Sequence, residues 1–238
     1  MSRENSNLLN PTELMDLYGI PVLNDAERTE YFTLNDKEKQ ILNSFKDLES
    51  SVYFVIGLAF FKVKHTLVDF NYQEVTVERQ HIIKRYFGDK RSPKSQPKDL
   101  KRIAFIENKI LDCMKFKRFT GKNESLIKDK LTKTASNHPR QRQLLKSLLE
   151  LIEQNKIALP AYSTIQRLIT EVWNNEIKRL SQSYLRYSTK AQREVISSLL
   201  EKNENFYPIV KIKDDMKDFR TRELEGEIKK LNMLRPIF

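Results

Sequence analysis

Four hydrogen-bonding side chains stand together in the segment IALPAYSTIQRLITEVW, residues 157–173. Ser163 and Gln166 have the spacing of a capping box, in which two side chains satisfy free backbone N–H groups at a helix start. Thr164 and Arg167 are three residues apart, which places them on one helix face. Glutamine can pair with adenine and arginine with guanine in the DNA major groove. The segment therefore predicts a capped helix, a helix whose first turn contacts DNA, or both.

The residues around this first turn have the pattern of helix, turn and amphipathic helix. The apolar pattern of RQRQLLKSLLELIEQN, residues 140–155, precedes the turn, and Ile165, Leu168, Ile169, Val172 and Trp173 form one face of the second helix. A helix-turn-helix module presents its recognition helix in this order. A helical hairpin with a good cap gives the same pattern, so both interpretations stay open. The predicted DNA contacts are Tyr162, Ser163, Thr164, Gln166 and Arg167.

Positive charge is concentrated in the middle of the sequence. The chain of 238 residues has a net charge of +11, and residues 81–133 contain 16 basic and 6 acidic residues. Such a region indicates binding to nucleic acid or to an anionic membrane, although a solvated surface gives the same composition. The loop DKRSPKSQP, residues 89–97, is irregular and cationic. The predicted contacts with DNA here are Lys84, Arg85, Lys90, Arg91, Lys94, Ser95, Lys98, Lys101 and Arg102.

Other kinds of site find little support in the sequence. The three histidines and the single Cys113 are too far apart for metal-ligand spacing. Cys113 lies in the amphipathic pattern ILDCMKF and is predicted to be a packed thiol, and no glycine-rich phosphate loop occurs. The apolar run VYFVIGLAFF, residues 52–61, is about half the ~20 residues of a membrane span. We therefore expect no enzyme activity, no catalytic residue, no metal, no cofactor and no membrane partner.

The periodicity of the sequence predicts an all-α fold. We expect helices from Pro11 to before Gly19, after Asn24, after Asn35, through the apolar run, and from Thr76, as a cap, to a stop at Gly88. A further helix is predicted from near Pro97, with Leu100 on its inward stripe. Ser188 is predicted to cap a later helix, NFYPIVKIKDD (205–215) to be the one strand, and Asp214 to Leu234 to be a charged helix.

A break at KRFTGKN, residues 117–123, indicates a boundary between domains. Residues 1–119 are predicted to form an N-terminal helical DNA-binding domain. Residues 120–205 are predicted to form a second, helix-turn-helix-like domain in tandem, and residues 206–238 a linker and a charged C-terminal helix.

Several stretches, in the same order along the chain, resemble the N-terminal part of Tn-three-family replicative transposases. IALPAYSTIQRLITE resembles a segment LP-x-[Y/I]-ST-x-x-R-L-[IV], and DAERTEYFTLNDKEKQIL resembles the opening segment with its YFTL core. VYFVIGLAFFKVKHTLVDF is similar to that family's F-x-L-Q-L-x-Y-F-K helix. IIKRYFG, ILDCMKFKRFT and ELEGEIKKLNMLRPI are similar to later landmarks. Together these stretches cover roughly Pro11 to Ile237. Where many members have an arginine-rich TRxEH segment, this chain reads LKRIAFIENKIL, and only Lys101 and Arg102 keep its basic character.

The resemblance implies a sequence-specific module that binds double-stranded DNA at the terminal inverted repeats of a transposon. In that family the catalytic Asp-Asp-Glu site lies in a later ribonuclease-H-like domain, so this chain would be a non-catalytic N-terminal portion in the bacterial cytoplasm, associated with the nucleoid. Self-association and the remaining transposase domains are further expected partners. The alternative is a truncated or standalone regulatory or protein-interaction module that modulates a full transposase, and a generic RNA-binding helical protein is a third interpretation.

Overall fold

The fold is all-α in this computed structural model, which describes residues 8–88, 90–138, 140–201, 207, 209 and 221–235. Within those residues the backbone forms helices joined by turns and two isolated β-bridges, and it forms no strand. A π-helical segment, Ile83–Phe87, directly continues the fifth α-helix. The helices are α1 Pro11–Tyr18, α2 Asp25–Tyr31, α3 Asp36–Ser44, α4 Leu48–Lys64, α5 Thr76–Ile82, α6 Leu100–Met114, α7 Gly121–Ala135, α8 Gln141–Gln154, α9 Tyr162–Tyr187, α10 Lys190–Leu200 and α11 Thr221–Leu234.

Asparagine side chains fix the starts of the first three helices. Asn10, Asn24 and Asn35 each accept a hydrogen bond from the backbone N–H of a glutamate three residues later. Each of these glutamates accepts a hydrogen bond in return from the backbone N–H of its asparagine, at 2.8–2.9 Å. This reciprocal pairing satisfies donors that a helix start leaves free. It confirms the predicted starts near Pro11 and after Asn24 and Asn35.

Helix α4 is the centre of the first hydrophobic core. It is apolar on nearly all sides, and its residues from Ser50 to Ile56 are all buried. Helix α6 runs alongside it in the same direction, since Arg102 forms an ion pair with Asp47 and Phe116 packs edge-on against Phe61. A helix that is apolar all round must be covered on every side. Helices α2, α3, α5 and α6 provide that cover.

Helices α7, α8 and the first half of α9 enclose a second core. Its buried members include Ile127 and Leu131 of α7, Leu144 and Leu148 of α8, and Ile165 of α9. The predicted α8 stripe of Leu144, Leu145, Leu148 and Ile152 is buried, and Leu149 packs against the same cluster. The helical periodicity of 3.6 residues thus located this core correctly.

The turn between α8 and α9 links the two cores. Lys117 donates its backbone N–H to the carbonyl of Lys156 at 2.7 Å, and Ala158 donates to the carbonyl of Lys117 at 2.9 Å. Leu159 donates its backbone N–H to the carbonyl of His65, the left-handed residue that ends α4. Ala158 is buried in the first core and Ile157 in the second. The start of α9 is therefore held against the far ends of α4 and α6.

The chain divides into two compact units, residues 1–174 and 175–238. The first unit contains both cores. In the second unit, the side chain of Thr189 accepts a hydrogen bond from the backbone N–H of Gln192 and caps α10. The predicted domain limits, at residues 119 and 205, stay predictions, and so does the tandem helix-turn-helix arrangement.

Three predicted helix starts are wrong by one to three residues. Thr76 is the first residue of α5 and not its cap. In the preceding turn, the side chains of Asn71 and Glu74 each accept a hydrogen bond from the other residue's backbone N–H, so the chain enters the helix without a cap from Thr76. Helix α6 starts at Leu100 and not near Pro97, because the side chain of Asp99 caps it by accepting a hydrogen bond from the backbone N–H of Lys101. Thr189 takes the cap predicted for Ser188, whose backbone N–H instead donates to Tyr184 at the end of α9.

Two further predictions of the sequence concern Leu100 and the C-terminal region. Leu100 is 79% exposed, so its place on the inward stripe is wrong, because a residue at the first position of α6 lies beyond the edge of the core. The predicted strand, 205–215, falls almost entirely outside the described residues, whereas the charged helix is described as Thr221–Leu234. None of the described helices combines the length and hydropathy needed to cross a membrane.

Candidate nucleic-acid interface

Tyr162, rather than Ser163, sets the start of helix α9. The backbone N–H groups of Thr164 and Ile165 donate to the carbonyl of Ala161, so the helix has already begun when the chain reaches Ser163. The Tyr162 hydroxyl accepts a hydrogen bond from the backbone N–H of Leu9 at 3.3 Å, and its ring packs edge-on against Tyr18. The prediction that Ser163 caps this helix is therefore wrong. Because Tyr162 packs against the N-terminal segment, the helix begins at Tyr162 and not after Ser163.

The polar side of α9 has two parts that face different surroundings. Ser163, Gln166, Arg167, Thr170 and Glu171 line a shallow depression that is open to solvent. Thr164 instead lines a separate cavity, between helix ends, that also includes Tyr18 and Arg118. Thr164 and Arg167 thus line different depressions, and their shared contact with DNA stays a prediction. The outward stripe of α9 runs through Ser163, Gln166, Arg167 and Thr170 at helical spacing.

The apolar side of α9 agrees with the sequence pattern. Ile165, Leu168, Ile169 and Val172 are fully buried, and Trp173 packs partly buried against the second core. These contacts fix the rotation of α9 about its axis. The orientation of the outward stripe is thereby determined by the core and not by surface contacts.

Ion pairs connect the outward stripe of α9 to helix α7. The Arg167 guanidinium lies 2.6 Å from a carboxylate oxygen of Glu124 and 3.9 Å from one of Glu171. Glu171 in turn lies 2.5 Å from the Lys128 ammonium. The hydrogen bond from Lys128 and the nearby positive charges lower the pKa of Glu171 below its ordinary range. Two acids and two bases thus form a nearly neutral group at the surface of α9.

The cationic loop before α6 is anchored at the N-terminal end of α4. Arg79 donates a hydrogen bond to the carbonyl of Pro93 at 2.9 Å and stacks on the ring of Tyr72. The Tyr72 hydroxyl donates in turn to the carbonyl of Glu49 in the first turn of α4. Pro97 is buried, so the loop is attached at its middle and at its C-terminal end. Lys94 is exposed between these two anchors, and Arg91 and Lys98 are exposed on either side of them.

Among the contacts predicted between Lys84 and Arg102, three basic residues already have partners within the fold. Arg85 donates to Thr29 and Thr33, the Lys90 ammonium lies over the ring of Phe87 at 5.9 Å, and Arg102 is paired with Asp47. The others are exposed, and the basic ones among them form no salt bridge within the described residues. These exposed residues are Lys84, Arg91, Lys94, Ser95, Lys98 and Lys101.

The two groups of predicted contacts lie towards opposite ends of helix α6. The loop residues precede its start, near Asp47, whereas Thr164 at the start of α9 shares a cavity with Arg118, four residues beyond its end. The 15 residues of α6 correspond to about 22 Å of helix axis. The structure therefore places the loop residues and the α9 residues in two patches and not in one. B-form DNA advances ~34 Å per turn, so a single duplex is long enough to reach both.

Glu124 and Lys128 were missed by the sequence reasoning. They lie 43 residues from Arg167 and Glu171, respectively, and belong to an ordinary charged helix pattern. No local motif marks them, because only the packing of α7 against α9 makes them neighbours. A search for opposite charges at i, i+4 spacing finds Glu124 with Lys128 and Arg167 with Glu171 as separate pairs, and it does not show that the two pairs meet.

Metal ligands and the single cysteine are the groups for which the sequence predicts no catalytic role. No three histidine, cysteine, aspartate or glutamate side chains come together as a metal site in the described part of the chain. Cys113 is half-buried against the first core, and burial raises the pKa of its thiol. A thiol with a raised pKa is a poor nucleophile near neutral pH.

One family model matches the sequence, over residues 8–172, and it describes a domain of unknown function, DUF4158. No curated protein matches the chain significantly. The matched region includes both cores, the cationic loop and the start of α9. Since it covers more than half of the sequence, the chain belongs to the DUF4158 family.

Proposed function

We propose that this chain is a double-stranded DNA-binding module that recognises the terminal inverted repeats of a transposon, without catalytic activity of its own. The cationic loop and the start of α6 would contact phosphates. The outward stripe of α9 would contact base edges. Contacts with phosphates position a protein on DNA, and contacts with base edges provide its specificity.

The observation that carries this proposal is a group of exposed charges around the loop that have no ion-pair partner among the described residues. Arg91, Lys94, Lys98 and Lys101 are exposed, and none of them forms a salt bridge within the described residues. Like charges held this close repel one another in the free protein. A phosphate backbone relieves that repulsion and releases its own counterions, which favours binding. The anchoring of the loop by Arg79 lowers the entropy that it would lose on binding DNA.

Two further observations support the transposon context. The DUF4158 family is associated with Tn-three-family transposases. Most of the motifs that resemble such transposases, including YFTL and AYSTIQRLITE, fall inside the matched residues 8–172, whereas ELEGEIKKLNMLRPI lies beyond them. The binding to inverted repeats, the absence of catalysis and the nucleoid location are parts of the proposal.

The cationic region is tested by neutralising one charge in the loop and one directly after it. We expect Lys94→Gln with Lys98→Gln to weaken binding of the full chain to a 30-base-pair duplex by about tenfold or more near 100 mM salt. The reason is that each phosphate contact that is lost reduces the number of counterions released on binding. Fluorescence anisotropy measures this change. The matched control is Lys37→Gln with Lys178→Gln, two exposed lysines elsewhere that also lack a salt bridge among the described residues. Equal losses in both double variants would contradict the placement of DNA on the loop.

Sequence-specific readout is tested at Arg167. The probe is a duplex that the wild-type chain selects from a random pool, compared with a scrambled duplex of equal composition. We expect Arg167→Ala to weaken binding to the selected duplex far more than to the scrambled one, since a bidentate contact with guanine contributes about 1–3 kcal/mol of discrimination. Equal losses on both duplexes would show that Arg167 contacts phosphate only.

A further inference from the structure

The ion pair between Arg167 and Glu124 has a consequence for DNA binding. Arg167 lies on the outward stripe of α9, and its guanidinium is held 2.6 Å from Glu124 on the neighbouring helix α7. We propose that Glu124 is an intramolecular competitor for DNA, which must be displaced before Arg167 can contact a base. This inference rests on the proposed function and assigns a regulatory role to a residue of the same site.

The geometry makes Glu124 the principal partner of Arg167. The second carboxylate near Arg167, that of Glu171, is 3.9 Å away and is already paired with Lys128 at 2.5 Å. Glu124 has no other salt-bridge partner among the described residues. Its side chain is 25% exposed, compared with 53% for Arg167, so the acid lies nearer the protein and the guanidinium nearer solvent.

The chemistry of the guanidinium explains the competition. Arginine recognises guanine through two parallel N–H donors on one edge of its planar group. The terminal Nη2 atom of Arg167 donates to Glu124, and the Nη1 atom lies towards Glu171. One of the two terminal nitrogens that a guanine needs is thus hydrogen-bonded within the protein, and the other lies near a second carboxylate. A bidentate contact through Nη2 then competes with the Glu124 contact.

The strength of such a pair suits an exchangeable contact. Exposed ion pairs contribute little to stability. Double-mutant cycles give them only a fraction of the free energy of a bidentate contact with a base. The pair therefore reduces the fraction of protein in which Arg167 is free, and the apparent affinity falls by that same fraction. A DNA site that offers a full bidentate contact overcomes this cost. A random site lets the ion pair stay closed.

The test compares Glu124→Ala with Asp129→Ala in the full chain. Both variants remove one acidic side chain from α7, but Asp129 is exposed and has no ion-pair partner in the described part of the protein. The probes are the duplex selected by the wild-type chain and its scrambled counterpart. We expect Glu124→Ala to bind the selected duplex about two- to fivefold more tightly than Asp129→Ala does, and the scrambled duplex with the same affinity.

Each variant is also made in an Arg167→Ala background, where the advantage of Glu124→Ala should disappear. An advantage that persists there, or equal affinities of the two single variants for the selected duplex, would overturn the role of Glu124 while leaving DNA binding in place. A wild-type chain that binds neither duplex, even at low salt, would instead overturn the proposed function and this inference with it. Thermal melting of each variant verifies that the comparison is between folded proteins.

Discussion

At the scale of single residues, the start of α9 shows how one anchored aromatic side chain overrides a local motif. Ser163 and Gln166 have the spacing of a capping box, but Tyr162 is attached to Leu9 and packed on Tyr18. A cap contributes only about 0.5–2 kcal/mol, and burying much of a tyrosine contributes as much or more. The helix therefore begins where Tyr162 is best packed. Ser163 is left as an exposed residue inside the first turn.

This arrangement predicts that Ser163→Ala changes the free energy of unfolding by less than about 0.5 kcal/mol, the range of ordinary surface substitutions. The comparison is Asn35→Ala, which removes a genuine capping box at α3 and should cost about 1 kcal/mol. Urea denaturation followed by circular dichroism measures both values. A loss of 1 kcal/mol or more for Ser163→Ala would restore the capping role that the structure denies.

At the scale of helices, the sequence predicted those features that depend on local patterns. The existence of the helices, the starts after Asn24 and Asn35, and the inward stripes of α8 and α9 follow from spacing within one segment. The exposure of Leu100 does not follow from local spacing, because its environment depends on where α6 begins relative to the edge of the core. The Glu124–Arg167 pair is likewise a product of packing between helices distant in sequence. The candidate site was thus predictable as a list of basic residues, but not as two separate patches.

The contact between α7 and α9 should respond to acid. The pKa of Glu171 is lowered in the folded state. Its contribution to the free energy of unfolding is therefore fully present above the ordinary glutamate pKa of about 4.3, and it is lost as the pH falls through the lowered pKa of the folded state. We expect the free energy of unfolding to decrease from pH 5 towards pH 3, and to decrease less steeply in Glu171→Gln. Urea titrations at each pH measure this. Parallel pH dependences in the two proteins would contradict an ion pair with Lys128 in solution.

The close approach of α4 and α6 predicts a sharp size limit at Gly57. A Cβ atom built on Gly57 would lie 2.8 Å from the Cδ1 atom of Ile110, whose side chain is fully buried. We expect Gly57→Val to destabilise the protein by about 1–3 kcal/mol, as overpacking of a core does. Shortening the opposing side chain with Ile110→Val in the same protein should recover part of this loss. Equal stabilities of Gly57→Val and the wild type, measured by urea denaturation, would show that the helices can separate without cost.

At the scale of the whole molecule, parts of the sequence with different net charge pack against each other. Residues 1–80 carry a net charge of −5 and residues 81–133 a net charge of +10. Helix α4 belongs to the acidic part and α6 to the basic part, yet they pack side by side. The basic loop is consequently held beside the start of α4, in the acidic part of the sequence. Under the proposed function, this asymmetry would orient a polyanion as well as attract it.

This charge distribution predicts a steep dependence of DNA binding on salt. If about six to ten phosphates are neutralised, the logarithm of the affinity should fall against the logarithm of the salt concentration with a slope of roughly −5 to −9. Each basic residue that contacts a phosphate contributes about 0.9 to that slope, so Lys94→Gln with Lys98→Gln should make it shallower by about 2. Anisotropy titrations between 50 and 300 mM salt measure both slopes. The Lys37→Gln and Lys178→Gln control should keep the wild-type slope, because a lysine away from the DNA releases no counterions from it. A wild-type slope near zero would exclude phosphate docking and favour a protein-interaction module instead.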